Sequence, residues 1–167
     1  MFYPNKIFNK IEDIDIKFLK DLGIKGVILD VDNTLIDNSK ILSEDKYNWV
    51  MSLKENGINA CILSNTIIKD KVEEVANKLD IKYFMFAKKP LSGGFKRCKK
   101  YLNLNSSEIC VIGDQIFTDI LGGNITKMYT IYVHPISPKD CSITTTIKRP
   151  LEKMVVKSYL KRMEDNK

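Results

Sequence analysis

Apolar residues along this chain fall into short blocks separated by longer amphipathic stretches. Five blocks have the length and content of buried strands: "GVILDVD" (26–32), "INACILS" (58–64), "KYFMFA" (82–87), "EICVIGD" (108–114) and "KMYTIYV" (127–133). The stretches between them read as helices. "SEDKYNWVMSLKENG" (43–57) has Ser43 as N-cap, acids in its first turn and Gly57 as a stop. "KDKVEEVANKLD" (69–80) sets Val72, Val75, Ala76 and Leu79 at helical spacing. "SGGFKRCKKYLNL" (92–104) and the shorter "FTDILGGN" (117–124) complete the alternation. Strands alternating with helices predict an α/β fold with a mainly parallel five-stranded sheet. The strands are apolar on both faces, as a sheet covered by helices on each side requires.

In a parallel sheet the strands all end at one edge, where ligands bind. The polar residues of interest sit at those ends. The first run closes on Asp30 and Asp32, followed by Thr34; the second on Ser64, Asn65 and Thr66; the third on Lys88 and Lys89; the fourth on Asp114 and Gln115, with Asp119 a turn later. Buried strands do not usually end in paired acids, because two close carboxylates repel unless something positive lies between them. Acids at two strand ends among oxygen-bearing groups suit Mg²⁺, which is usually held by one or two carboxylates plus substrate phosphate. Ser64, backbone N–H groups and a lysine suit a phosphate. Together these point to phosphoryl transfer, in which a carboxylate can be the nucleophile. A calcium loop starting at Asp30 would need Gly at its sixth position and Glu at its twelfth, and it meets Leu35 and Ile41. Taken singly, each motif has a structural explanation, such as an Asx-capped turn or a solvated loop; their joint occurrence points to catalysis.

"DVDNTL", "LSNT", "KKP" and "GDQIFTD", in this order, resemble the four motifs of the haloacid dehalogenase (HAD) superfamily, over about Gly26 to Val133. The resemblance implies a Rossmannoid HAD-like domain over 1–167. Its core covers about 26–133, with an N-terminal arm (1–25) and a C-terminal loop and amphipathic helix (136–167). It implies that Asp30 attacks phosphorus and that Asp32 is the general acid and base. Ser64 would bind the phosphate with Asn65 beside it, and Lys89 would stabilise the phosphorylated intermediate, Lys88 being its neighbour. Mg²⁺ would be held by Asp30, Asp114 and the backbone carbonyl of Asp32. Asp119, Thr34 and Gln115 would have supporting roles.

One helix and one strand separate Asp32 from Ser64, and again Asn65 from Lys88, so neither gap holds a cap domain. A capless HAD enzyme has an open site, suited to a lipid headgroup, a protein or a nucleic acid. "GIKGVILDVDNTL", "KKPLSGGFKRC", "GDQIFTDILGGN" and "IKRPLEK" resemble the YqeG-type branch, subclass IIIA, which includes phosphatidylglycerophosphate phosphatases. Thr66 and Ile125 depart from that pattern, which has Asn and Arg there. The implied reaction is removal of the terminal phosphate of phosphatidylglycerophosphate. A soluble or macromolecular phosphoester is the alternative substrate, and a metal- and phosphate-binding scaffold without turnover the alternative function. The presence of Asp32 argues against the scaffold, which needs no acid–base partner.

A net charge of +6 favours a polyanionic neighbour without choosing one, and plain solubility explains it equally. No recognition motif accompanies the charge, so nucleic acid is not an expected partner. No apolar stretch approaches the roughly 20 residues of a membrane-spanning helix, and no secretory h-region is seen. Cys61, Cys98, Cys110 and Cys141 lack metal-ligand spacing and read as small buried residues of a reducing cytoplasm. "RPLEKMVVKSYLKRMEDN" predicts a helix with Pro150 at N1. Its apolar stripe (Leu151, Met154, Val155, Tyr159) and its lysines would either dock on the domain or lie on the inner face of an anionic membrane. "FYPNKIFNK" is a second candidate contact or the cover of a sheet edge, and "SPKDCSITTTIK" reads as a loop. His134 and Trp49 are expected to be structural.

Overall fold

The computed structural model describes residues 1–137 and 143–165. Six parallel strands form one sheet: β1 (Lys6–Phe8), β2 (Gly26–Leu29), β3 (Asn59–Leu63), β4 (Lys82–Phe84), β5 (Ile109–Gly113) and β6 (Tyr129–Val133), in the order β1-β6-β5-β2-β3-β4. The expected α/β class is therefore borne out, with one strand more than the five expected. The extra strand comes from the N-terminal arm, where Lys6, Ile7 and Phe8 pair with Ile131, Tyr132 and Val133 and cover the β6 edge.

The helices are α1 (Ile16–Asp21), α2 (Glu44–Glu55), α3 (Lys69–Leu79), α4 (Ser92–Leu102), α5 (Leu121–Ile125) and α6 (Ile143–Asp165). Strand side chains alternate between two cores. Val27, Leu29, Ala60, Ile62 and Ile112 pack with Leu19, Trp49, Leu53 and Val75, which puts α1, α2 and α3 on one face. Ile28, Cys61, Leu63 and Val111 pack with Phe95, Cys98 and Leu102 of α4 on the other. Fully burying one such aliphatic or aromatic side chain is worth about 1.5–3 kcal/mol, so covering both faces sets the register of the whole sheet. Cys61, Cys98 and Cys110 are buried and free; Cys141 lies outside the described residues. Trp49 is buried and its Nε1 donates to the Ile14 carbonyl at 2.8 Å, tying α2 to the N-terminal segment.

Three boundaries differ from the sequence pattern. β4 stops at Phe84, before the end of its apolar run, because Phe86 and Lys88 take left-handed backbone angles that turn the chain out of the strand. Ser43 occupies the N-cap position of α2 but its hydroxyl makes no cap hydrogen bond. Pro150 is not at N1: α6 begins at Ile143 and runs through it, so residues 143–148 of the stretch expected to be a loop are helical, while residues 138–142 of it lie outside the described residues. Pro150 forfeits only the bond to the carbonyl one turn back, while Arg149 and Glu152 anchor the helix to the body through polar contacts. The predicted apolar stripe is only partly covered: Val155 and Tyr159 pack on the body. Arg149, Glu152, Val156 and Tyr159 are buried, whereas Leu151 and Met154 are exposed.

Candidate active site

β2 lies at the centre of the sheet, with β3 on one side and β5 on the other. Chain connections leave β2 and β5 in opposite directions, which opens a crevice beyond their C-terminal ends. The register pairs Leu29 with Ile112, and the Asp30 N–H donates to the Ile112 carbonyl at 3.0 Å. Asp30 and Asp114 thus emerge side by side. Beyond Asp30 the chain folds into a tight turn, in which the Val31 carbonyl accepts from the N–H groups of Thr34, Leu35 and Ile36 and Asn33 is left-handed. Asn tolerates that conformation better than most residues.

After β5, a π-helical turn (Ile116–Ile120) bends the chain back so that Asp119 packs on Gly113. A Cβ at Gly113 would collide with the Asp119 carboxylate, so this close approach needs glycine. Asp30, Asp114 and Asp119, all buried, offer oxygens within 4.8 Å of one another. Lys89 enters this cluster from the loop after β4. Its Nζ donates to Asp30 Oδ1 at 2.5 Å, Asp119 Oδ1 at 2.6 Å and the Leu63 carbonyl at 2.8 Å. Lys88, by contrast, is exposed. Asn65 spends its amide on the same loop: Oδ1 accepts from the Lys89 N–H at 2.7 Å and Nδ2 donates to the Lys89 carbonyl at 3.2 Å. It braces Lys89. Ser64 is buried, and its Oγ accepts from the Thr66 N–H at 3.1 Å, which leaves the hydroxyl hydrogen to donate elsewhere. Gln115 donates its backbone N–H to Asp119 Oδ2 at 3.2 Å. Thr34 is buried without a partner for its hydroxyl.

Asp32 stands apart from the three clustered acids. Its side chain is 37% exposed and its Oδ1 accepts from Lys71 Nζ of α3. Sequence reasoning passed over Lys71, which lies in a helix with no motif around it. It also gave no role to Arg149 and Glu152, although they lie in the quoted "IKRPLEK" stretch. Arg149 donates to the Asp114 carbonyl at 2.7 Å, to Asp114 Oδ2, and to Glu152 Oε2 at 3.2 Å. α6 therefore reaches into the crevice and clamps one of its acids.

The electrostatics follow from this crowding. Burial, with the neighbouring acids adding to it, raises the Asp30 carboxyl well above the usual range against the pull of Lys89. Burial pushes Asp114 up to about 7, opposed by Arg149. Burial alone would depress the Lys89 ammonium, but Asp119 and Asp30 outweigh it and hold it above its ordinary value. A divalent cation fits this arrangement. Asp30 Oδ2 and Asp114 Oδ1 are buried without hydrogen-bond partners, and a cation would satisfy both while cancelling the repulsion. Both oxygens of Asp119 are already engaged, which suits it to positioning Lys89 and the turn.

A pH dependence follows for the metal-free protein. A carboxyl whose folded pKa is raised binds more protons folded than unfolded, so stability falls as pH rises. For Asp114 the loss starts near its ordinary 3.8 and is complete above about 7. Asp30 and Glu152 act in the same direction. Urea unfolding in EDTA is expected to show lower stability at pH 8 than at pH 5.5, at up to about 1.4 kcal/mol per pH unit for each such group. A flat or rising profile would show that these acids are not packed together in solution.

Residues 1–137 match the family described as mitochondrial PGP phosphatase. The chain is 34% identical to the probable phosphatase YqeG of Bacillus subtilis, over 96% of its length and 92% of that protein. It is 25% identical to the chloroplastic/mitochondrial phosphatidylglycerophosphate phosphatase 1 of Arabidopsis thaliana, over 95% of its length but 48% of that protein, so it spans about half of the plant enzyme. Its fold is that of the cobalt-bound deoxy-D-mannose-octulosonate 8-phosphate phosphatase of Haemophilus influenzae, with a TM-score of 0.54 and 16% identity over 83% of this chain and 90% of that one.

Proposed function

Because the chain belongs to the PGP phosphatase family of HAD-type phosphatases, we propose that it is a Mg²⁺-dependent hydrolase of phosphatidylglycerophosphate (PGP). The observation that carries the chemistry is the buried Asp30–Lys89–Asp119 cluster beside Asp114, with unpartnered carboxylate oxygens on Asp30 and Asp114. Asp30 is the nucleophile: a carboxylate oxygen attacks the phosphomonoester phosphorus and forms an aspartyl-phosphate. Asp32, partly open to solvent and oriented by Lys71, protonates the leaving alkoxide and then takes a proton from the water that cleaves the intermediate. Ser64 donates its hydroxyl to the phosphoryl oxygens. Lys89 neutralises charge that builds on Asp30 and the phosphoryl group. Mg²⁺, held by Asp30, Asp114 and the Asp32 carbonyl, would supply charge neutralisation at the phosphate.

Two features favour a lipid substrate. Nothing is inserted between Asp32 and Ser64 but α2 and β3, or between Asn65 and Lys89 but α3 and β4, so no cap encloses the crevice. Among the described residues no helix is long and apolar enough to cross a membrane, yet α6 exposes Leu151, Met154, Leu160 and Met163 among its lysines. These features support a reading in which the protein works at the surface of an anionic membrane, and the cytoplasmic face is the side proposed.

The test is phosphate release from PGP in phosphatidylglycerol vesicles, with Mg²⁺ or EDTA. Metal-dependent release is expected. Release from soluble phosphomonoesters alone would keep the chemistry and discard the lipid. No release from any phosphoester would leave a binding scaffold.

A further inference from the structure

α6 holds Asp114 with one side of Arg149, and the same residue also lines a cleft of about 310 Å³ between α6 and the end of β6. Tyr132, Pro135, Val156 and Leu160 make its lining mostly apolar, the lining carboxylate of Glu152 is paired with Arg149, and Lys153 and Lys157 line it as exposed residues. The cleft and the reaction centre therefore share a boundary residue. An apolar wall flanked by two exposed ammonium groups is poorly matched to a sugar phosphate, which has no hydrocarbon to bury. It matches an amphiphile with an anion at the junction of its polar and apolar parts.

We infer that this cleft is the subsite for the phosphatidyl half of an anionic glycerophospholipid. The inference rests on the proposed lipid substrate and adds where the remainder of that lipid lies. The phosphodiester pairs with Lys153 and Lys157. The glycerol backbone and first acyl methylenes lie along Val156, Leu160 and Tyr132. The terminal phosphomonoester then reaches past Arg149 to Asp30. The exposed Leu151, Met154 and Met163 extend the apolar surface of α6 beyond the cleft, where the acyl chains would re-enter the bilayer. Arg149 acts here as a divider: its guanidinium is committed to Asp114 and Glu152, which leaves the diester to the two lysines.

The probe is dihexanoyl-phosphatidylglycerol below its micelle concentration. It carries the phosphodiester and acyl chains but no terminal monoester, so its binding is independent of turnover. Titration into the full chain, followed by amide chemical shifts, is expected to give saturable changes at the end of β6 and along α6. Lys153→Ala and Lys157→Ala are each expected to weaken binding by about fivefold, and Val156→Trp, which fills the cleft, to abolish it. The lysine variants carry the test if Val156→Trp does not fold. Equal binding of dihexanoylglycerol, which lacks the phosphodiester, indifference to both lysine substitutions, or shifts confined to other surfaces would overturn the inference. Saturable cleft binding without hydrolysis of PGP would uphold the cleft and sink the substrate proposal. Hydrolysis without probe binding here would do the reverse.

Discussion

Asp30→Asn is expected to lower phosphate release by a factor on the order of 10⁴ to 10⁶ without lowering the stability of the metal-free protein. The two halves of this result have one cause. The carboxylate is the proposed nucleophile, and an amide oxygen cannot form the acyl-phosphate bond. The same carboxylate is also costly to bury: desolvation and the nearby Asp119 and Asp114 raise its pKa well above the usual range, despite Lys89. The isosteric amide removes that repulsion. Lys89 keeps Asp119 Oδ1 and the Leu63 carbonyl as partners, so the substitution does not strand a buried cation. At pH 8 in EDTA the variant should melt at or above the wild-type temperature. With Mg²⁺ it should lose most of the metal-dependent rise in Tm, because one of two unpartnered ligand oxygens is gone. Residual turnover above about one per cent of wild type would remove Asp30 from the nucleophilic role, since such residues contribute far more than that. A sharp fall in metal-free stability would show that the Lys89 ion pair outweighs the crowding.

How much of this was legible in the sequence depends on where each residue's partners lie. The strand ends were readable because apolar runs of strand length stop at polar residues. A parallel sheet then brings those ends to one edge whatever the details of packing. Asp30, Ser64, Lys89 and Asp114 reach the crevice for that reason. Lys89 was chosen over Lys88 through the family resemblance and not from the strand pattern; the physical basis of the choice is the left-handed backbone at Phe86 and Lys88, beyond which Lys88 is exposed and Lys89 buried. Asn65 was placed beside the phosphate, whereas both ends of its amide bind the Lys89 backbone. Sequence position brings it to the crevice, but hydrogen-bond geometry decides what it touches. Lys71 and Arg149 carried no signal of their own. Each lies on a helix, where a basic residue is ordinarily solvated, and their acidic partners are 39 and 35 residues away. On α6 the apolar stripe is divided: Tyr159 is buried and Val155 packs on the core beside Arg149, Glu152 and Val156, while Leu151 and Met154 face solvent. The N-terminal arm was offered as the cover of a sheet edge but not as a strand, because the three residues of β1 have too short a pattern to show period two.

Lys89→Met is expected to act on stability in the opposite sense to Asp30→Asn. Its ammonium is the only cation hydrogen-bonded to Asp30 or Asp119 among the described residues, and it also satisfies the Leu63 carbonyl. Removing it leaves two buried carboxylates facing each other across a hydrocarbon chain. Breaking one side of such a pair costs about 3–5 kcal/mol, chiefly through the charges left behind. The rate should fall by about 10² to 10³, the usual cost of losing a group that stabilises developing charge. Lys89→Arg keeps the charge, but a planar fork does not reproduce one nitrogen shared among two carboxylates and a carbonyl. Its rate should stay depressed although its stability recovers in part. The double variant Asp30→Asn with Lys89→Met separates pairing from packing. If the penalty of Lys89→Met comes from stranded carboxylates, the double variant is more stable than Lys89→Met alone, with a coupling of roughly 1–3 kcal/mol in urea unfolding. Simple additivity would place the penalty in lost side-chain packing instead. Lys89 would then be a structural residue, and charge neutralisation at Asp30 would have to come from the metal alone.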